Sequence, residues 1–224
     1  MELTEKTIGV LSNFNGINKS ICISPGNVIK TISYTNTVIA KAEVDMEFDK
    51  EFCLYDIARF LNVLNLMKTT DIEVEKKHII IRNNKSKIDY VCASKDLIKS
   101  APDKMINMPK DCICHFNLKA DDIQQLLQAM AILGLPEIAI IGENGSLDFK
   151  GIDSDGKIQD TYSLTIGETD KNFKVVIKTG NFTKIMPGDY EVRIANVKGV
   201  NVSQFKNDKD NVEYFIAIDK ASNI

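Results

Sequence analysis

The residues that come closest to a known chemical motif lie at 151–158 and read Gly-Ile-Asp-Ser-Asp-Gly-Lys-Ile. This is the G-x-x-x-x-G-K spacing of a phosphate-binding loop. The next position should be Ser or Thr, to hold magnesium, but here it is Ile158. Asp153 and Asp155 would repel phosphate, and no predicted helix follows to offer its N-terminus. The pattern therefore favours a hairpin turn.

Two metal sites can be weighed from residue types and spacing. The same segment half resembles a calcium loop, but its first and last ligands would be Gly151 and Tyr162, which lack carboxylates. Cys112, Cys114 and His115 could suggest zinc. In a strand, however, the two cysteines share a face while the histidine points away, and no second pair of ligands exists. We predict no metal and no other cofactor.

Catalytic sets built on histidine or on carboxylates find little support. The chain holds two histidines, neither in a motif, so a nucleophile–His–acid triad has few ways to form. A metal-dependent carboxylate nuclease stays open as an alternative, because Asp153, Asp155 and Asp160 lie close together in the sequence. Such clusters are more often polar turns. The sequence thus predicts a protein that is not an enzyme.

Length and composition set wide limits. With 224 residues, the chain can form one large domain or two of about 110. It lacks the basic start and apolar core of a signal peptide, and no uncharged stretch is apolar enough to span a bilayer. We expect its five cysteines to be reduced and to act as small buried hydrophobic residues in a cytoplasmic protein. The net charge of -3 does not exclude DNA, because a balanced total can hide a basic face.

One pattern of large apolar residues recurs along the chain, with a second apolar residue five positions after the first and a third three positions later. Each copy is typical of a strand end, a polar turn and the buried face of a short helix. Four copies indicate a repeated architecture. They are Leu3/Ile8/Leu11, Phe52/Ile57/Phe60, Leu118/Ile123/Leu126 and Ile177/Phe182/Ile185.

Two of these helices have the clearest periodicity, at 56–67 and 121–133. Both are predicted to begin at aspartates, and neither carries an outward acid beyond its first turn. Their outward positions hold arginine, asparagine or glutamine, whereas a helix over an ordinary solvated sheet usually mixes Glu and Lys. A less regular helix is predicted at 4–14. A brief fourth helix is predicted to be capped by Asn181 and stopped by Pro187 and Gly188.

The remaining segments alternate or are β-branched, which predicts many strands. Residues 94–111 hold two prolines and lack a clean period, so they form the best candidate for a linker. Each half would have two helices and an antiparallel sheet covered on one side, an α+β fold. We place an N-terminal domain with the connector at 1–108 and a C-terminal domain at 109–224.

Three separated segments closely resemble the sliding clamps of T-even-type phages, the family of DNA polymerase processivity factors. They are LYDIARFLNVL from residue 54, LKADDIQQLL from residue 118, and YSLTIG from residue 162 with MPGDY from residue 186. The resemblance runs nearly end to end. It departs from the family pattern at Ser12, a position that the family can fill with lysine.

The resemblance implies a fold and a function. Two related clamp-type domains per chain join head to tail into a closed homotrimer, with helices lining the hole and sheets outside. Such a ring encircles duplex DNA without reading its sequence and tethers the replicative DNA polymerase. The family is loaded by an ATP-driven clamp loader and also binds late-transcription factors. The implied location is the cytoplasm of an infected bacterium, with no membrane partner.

The clamp interpretation predicts three sets of site residues. The DNA-facing set is Lys6, Asn13, Arg59, Asn62, Lys119, Gln125, Gln128 and Lys184. The subunit interface would join the edge strands 87–92 and 173–177 through Ile88, Tyr90, Val91, Phe173, Val175 and Ile177. The partner pocket would use Leu97, Ile98, Met105, Ile106 and Met108, although these residues could instead staple the two domains together. A static phage interaction protein stays open as a further alternative.

Overall fold

The computed structural model describes residues 1–223, which form two compact units. The first comprises Met1–Asp103 together with Asp210–Val212, and the second comprises Lys104–Lys209 together with the described residues from Glu213 onward. The chain passes from one unit to the other inside the predicted linker. The domain boundary between 108 and 109 stays a prediction.

The first unit contains two helices and seven strands. The helices are α1 (Glu5–Asn15) and α2 (Ile57–Met67). The strands are β1 (Ile21–Ile23), β2 (Gly26–Ile32), β3 (Val38–Phe48), β4 (Phe52–Leu54), β5 (Ile72–Val74), β6 (His78–Arg82) and β7 (Lys87–Val91). All pairs are antiparallel: β1 with β4, β2 with β3, and a sheet in the order β5-β6-β7. The two helices pack on each other and bury Phe14, Phe60 and Leu64.

The second unit repeats this plan with eight strands. Its helices are α3 (Ala120–Leu133) and the four-residue α4 (Thr179–Phe182). Its strands are β8 (Cys114–Leu118), β9 (Glu137–Glu143), β10 (Ser146–Ile152), β11 (Tyr162–Glu168), β12 (Phe173–Lys178), β13 (Tyr190–Val197), β14 (Val200–Asn207) and β15 (Val212–Ala217). They form one antiparallel sheet in the order β11-β10-β9-β12 and a second run in the order β15-β14-β13-β8.

The core of the second unit is built around aromatic rings. Phe182 contacts Phe149 and Phe205 edge to face, with ring centroids 5.8 and 5.4 Å apart. Tyr190 contacts Phe205 and Tyr214 in the same way. All five side chains are fully or almost fully buried. This cluster explains why a helix as short as α4 is stable, since it contributes one fully buried ring to a close-packed interior.

The segment that imitates a phosphate loop connects β10 to β11, so the expected turn is confirmed. The Asp153 carboxylate accepts hydrogen bonds from the backbone N–H groups of Asp155, Lys157 and Ile158, at 2.9 to 3.1 Å. Gly151 has a packing role instead, because a Cβ there would lie 2.6 Å from the Met130 side chain on α3. The glycine lets α3 lie directly on β10.

The expectation that all cysteines are reduced is wrong for two of them. Cys22 on β1 and Cys53 on β4 are direct cross-strand partners with Cα atoms 4.0 Å apart, and they form a disulfide. Cys92, Cys112 and Cys114 are free thiols. Periodicity could place these residues on strands, but only strand pairing brought the two together. No helix among residues 1–223 is long and apolar enough to cross a membrane.

Candidate nucleic-acid interface and edge strands

Helix α2 has an exposed polar face, and residues in and next to the helix determine its orientation. The Asp56 carboxylate accepts the backbone N–H of Arg59 at 2.8 Å and so caps the helix where the sequence predicted. Ile57, Phe60 and Leu64 are buried, which turns the Arg59 and Asn62 side chains to the exposed side. This face therefore carries one cation and no acidic side chain.

Arg59 also connects this face to strand β7. Its guanidinium lies over the ring of Tyr90, 5.9 Å from the ring centroid. The Tyr90 hydroxyl donates to the Asp56 carbonyl at 3.2 Å, and the same ring packs edge to face on Phe60. Burial raises the pKa of Tyr90, although the neighbouring Arg59 opposes that shift. The exposed cation is thus held over a buried ring that belongs to an edge strand.

Helix α3 presents the equivalent face of the second unit. Ile123, Leu126 and Met130 are buried, and Gln125 and Gln128 are exposed. Counted from Ile57 and Ile123, these glutamines occupy the positions of Arg59 and Asn62. Both units therefore show donor groups and no carboxylate at the same helical positions.

The start of α3 is capped by a residue far away in the sequence. Asp189 accepts the backbone N–H of Ala120 at 2.8 Å and the ammonium of Lys119 at 3.0 Å. The backbone hydrogen bond, followed by the contact with Lys119, holds the pKa of the Asp189 carboxyl below its usual range. Lys119 is exposed as predicted, but part of its charge is offset by this partner. Local sequence gave no sign of the cap, although Asp189 belongs to the MPGDY motif.

The remaining residues of the predicted DNA-facing set are less exposed than those on α2 and α3. Lys6 and Asn13 lie half-buried on α1. Lys184 lies half-buried after the end of α4, not on a helix. Asn181 does not cap α4, because the helix starts directly from β12 with Lys178 at its N-cap, and the Thr179 N–H bonds to the Pro136 carbonyl at 3.0 Å. The helix also ends before Pro187 and Gly188.

Two apolar side chains on these helices were not foreseen. Leu66 on α2 is 74% exposed and Ile132 on α3 is 84% exposed. Both follow the first buried isoleucine of their helix by nine positions, so they occupy equivalent places. The repeat that was recognised from the buried stripe therefore extends to the exposed side.

Strand β7 is an open edge of the first unit. It pairs with β6 on one side and has no second partner among the described residues. The Cys92 N–H donates to the Lys77 carbonyl, and the Asn83 N–H donates to the Ser86 carbonyl, at the two ends of the β6–β7 ladder. Because the backbone groups of a strand alternate in direction, Lys87, Asp89 and Val91 point theirs away from β6. Of the predicted interface residues on this strand, Val91 is exposed, Ile88 is half-buried and Tyr90 is buried.

Strand β12 is not the open edge that the sequence predicted. Lys174 exchanges two backbone hydrogen bonds with Asn223, at 2.8 and 2.7 Å. The Val176 N–H donates to the Ser222 hydroxyl at 2.8 Å, and its carbonyl accepts the Asp219 N–H at 2.8 Å. Residues 219–223 therefore cover the outer edge of this strand.

The side chains that were assigned to an interface on β12 are also inaccessible. Phe173, Val175 and Ile177 are buried in the second unit. The assignment failed because the sequence shows a strand and its flanking turns but not what lies beside it. The edge left open in this sheet is β11, which pairs only with β10 within residues 1–223. Its residues at Tyr162–Glu168 are each half-buried or exposed.

The connector between the units is partly exposed. Leu97 is 68% exposed at the end of a short 3-10 helix, and Met105, Ile106 and Met108 are half-buried. Ile98 is only 7% exposed, so it is the least accessible residue of the predicted pocket. Lys30 donates to the Asp103 carbonyl at 2.8 Å, and Arg193 donates to the Pro109 carbonyl at 2.6 Å. Each end of the connector is thus held by its own unit.

Two protein families match the chain one after the other. The family described as "DNA polymerase processivity factor" matches residues 4–107, and the family described as "gp45 sliding clamp, C terminal" matches residues 115–220. The sliding clamp of Vibrio phage KVP40 is 32% identical, over 97% of this chain and 98% of its own length. The sliding clamp of Enterobacteria phage T4 is 29% identical, over 99% and 98%.

Solved structures of cellular clamps share the fold at much lower identity. The PCNA2–PCNA3 complex from Sulfolobus tokodaii has a chain that superimposes with a TM-score of 0.65 at 12% identity, covering 99% of this chain and 98% of that one. The Helicobacter pylori beta clamp bound to a DNA ligase peptide superimposes with a TM-score of 0.69 at 10% identity, covering 98% of this chain and 65% of that one. At these identities the likeness shows the fold alone.

Proposed function

Because the chain belongs to the sliding clamps of T4-like phages, which are DNA polymerase processivity factors and not enzymes, we propose that three copies close into a ring around duplex DNA. The observation that carries this proposal is the polar face shared by α2 and α3, which has no outward acid beyond the first turn. The domains would be 1–108 and 109–224. The ring would act in the cytoplasm of the infected host.

The DNA-facing residues would attract phosphates without fixing the position of the duplex. Each chain contributes four cations to this surface, so a trimer would present roughly a dozen; they are Lys6, Arg59, Lys119 and Lys184. Each contact between one of these side chains and a phosphate would be weak and screened by salt. Asn13, Asn62, Gln125 and Gln128 can exchange water-bridged phosphate contacts at little cost. Since bases are not contacted, the ring can slide.

The test of this surface is charge reversal. Arg59→Glu combined with Lys184→Glu should abolish most processive synthesis at physiological salt, while the trimer mass and thermal stability stay nearly unchanged. Lys76→Glu combined with Lys77→Glu is the matched control, because both lysines are exposed in the turn between β5 and β6. A doubly reversed ring that still supported processive synthesis would refute the assignment of these side chains.

We further propose that β7 of one copy pairs with β11 of the next, in place of the β12 contact expected from the sequence. These are edge strands with unpaired backbone groups, which otherwise invite aggregation. Asp89→Pro removes an outward N–H from β7 and should give monomers by light scattering. Lys174→Pro removes the equivalent group from β12 and should leave the trimer intact. If Lys174→Pro gives monomers, the subunit interface is formed by β12 and not by β11.

The connector is the proposed docking site for short peptides of the polymerase, and the clamp loader and late-transcription factors are further proposed partners. Leu97, Met105, Ile106 and Met108 offer flexible apolar surface of the kind that accepts several peptides. Met105→Ala with Ile106→Ala should weaken the binding of a polymerase-tail peptide in a titration, with the oligomeric state unchanged. Unaltered affinity would place the pocket elsewhere.

A further inference from the structure

Three cysteines meet at strand β4, on both of its edges. On one edge Cys53 is joined to Cys22 of β1 by the disulfide. On the other edge the Ala93 N–H donates to the Cys53 carbonyl at 2.8 Å. The preceding residue, Cys92, therefore lies next to β4, with its thiol near the Cys53 backbone. The free thiol of Cys92 thus lies beside the disulfide that joins β1 to β4.

The three cysteines differ in how far the whole residue is exposed to solvent. Cys53 is only 4% exposed, whereas Cys22 and Cys92 are half-buried. A small thiol in solution therefore reaches Cys53 poorly, whereas Cys92 lies beside it as an internal nucleophile. The other free cysteines, Cys112 and Cys114, belong to the second unit.

We propose that Cys22, Cys53 and Cys92 form a thiol–disulfide exchange site that reacts with small thiols of the glutathione class. The Cys92 thiolate attacks the Cys53 sulfur, so that the Cys53–Cys92 bond forms, the Cys22–Cys53 bond breaks, and Cys22 leaves as a thiolate that takes up the proton lost by Cys92. This step is redox-neutral. Two external thiols then reduce the new disulfide, and they leave as one oxidised disulfide molecule.

The position of the site couples it to the rest of the first unit. β4 leads directly to Asp56, the cap of α2, and the Asp56 carbonyl is bonded by Tyr90 of β7. Cytoplasmic disulfides are usually transient and serve catalysis or redox sensing, which fits an exchangeable bond better than a permanent one. Burial raises the pKa of the Cys92 thiol, which lowers the fraction of the attacking thiolate. The proposal does not depend on whether the ring forms.

The first experiment removes Cys22 from the full chain. In Cys22→Ser, oxidised glutathione should produce a Cys53–Cys92 disulfide, identified by peptide mapping and mass spectrometry. The second experiment keeps Cys22 and follows reduction by glutathione. Cys92→Ser should exchange at least about tenfold more slowly than wild type, since a neighbouring thiol has a high effective concentration. Cys112→Ser is the control and should exchange at the wild-type rate.

The second experiment also protects the test against a Cys22→Ser chain that does not fold. If the Cys92→Ser and Cys112→Ser chains exchange at the same rate, the role of Cys92 is overturned. If a folded Cys22→Ser chain yields only mixed disulfides with glutathione, the two sulfurs do not meet and the proposal fails. If a thiol titration of the folded, aerobically purified wild-type chain finds five free thiols, the disulfide does not form and the proposal fails.

Discussion

Helices α2 and α3 bury the same apolar stripe and expose the same polar positions, but they are started by different means. α2 is capped by Asp56, the residue directly before it. α3 has lysine at that position and takes its cap from Asp189, which lies 69 residues away from Ala120. One helix therefore begins by a local hydrogen bond and the other by a tertiary one.

The difference shows that two helices with the same buried stripe can be capped in different ways. The stripe has to be kept in both units, because each helix is held mainly by packing on its own unit. The cap needs only an oxygen atom near the first N–H groups, and any segment can supply it. Lys119 at the start of α3 needs no capping side chain of its own, because Asp189 accepts both the Ala120 N–H and the Lys119 ammonium.

The largest contrast is expected in the buried stripe. Phe60 and Leu126 are equivalent and fully buried, but only Phe60 packs on a second aromatic ring, Tyr90. Phe60→Ala should lower the free energy of unfolding by about 3–5 kcal/mol and Leu126→Ala by about 2–5 kcal/mol, with Phe60 the larger. Urea unfolding of the two variants measures both values. A smaller loss for Phe60→Ala would mean that the first unit fills the cavity by relaxing.

A smaller effect should separate the two caps. Asp56→Ala should cost about 1 kcal/mol and increase hydrogen exchange in the first turn of α2 only. Asp189→Ala should do the same in the first turn of α3, although residue 189 lies outside that helix. Adding Lys119→Ser to Asp189→Ala should restore protection, because serine is a good local cap. Failure of this rescue would show that Asp189 acts through another contact.

The Asp189 cap should also respond to acid. Its folded pKa is lowered, so its stabilisation is complete above the unfolded value of about 3.9 and is lost as the pH falls through the lower folded value. Exchange in the first turn of α3 should therefore increase in that pH range in the wild type. In the variant that combines Asp189→Ala with Lys119→Ser, the same amides should show no such step.

An effect no larger than that of the N-terminal caps is expected at the C-terminal ends of the helices. Both end in the left-handed conformation, at Lys68 with φ 50° and at Gly134 with φ 70°. Glycine adopts this conformation without steric cost, so Lys68→Gly should stabilise the chain by a few tenths of a kcal/mol to about 1. Gly134→Ala should destabilise it by about 1 kcal/mol. Thermal unfolding of both variants should give shifts of opposite sign, and shifts of the same sign would contradict the common end geometry.

Most of the secondary structure could be predicted, because its signals are local. The stripe of Ile57, Phe60 and Leu64 predicted α2 to within a residue. α4 was misplaced because its start depends on where β12 ends and on a bond to Pro136. The exposed residues Arg59, Asn62, Gln125 and Gln128 followed from the period alone.

The amino-acid sequence by itself determined the family, the repeated strand–helix unit and the polar faces of α2 and α3, since these depend on residue type and spacing along one element. Only the tertiary structure decided which edges are open, which cysteines pair and what caps α3. These features join segments that are distant in the chain, such as Lys174 with Asn223, Cys22 with Cys53, and Ala120 with Asp189. The spacing of residues within a strand or helix does not show which other elements lie beside it. The pairing of elements therefore follows only from the tertiary structure.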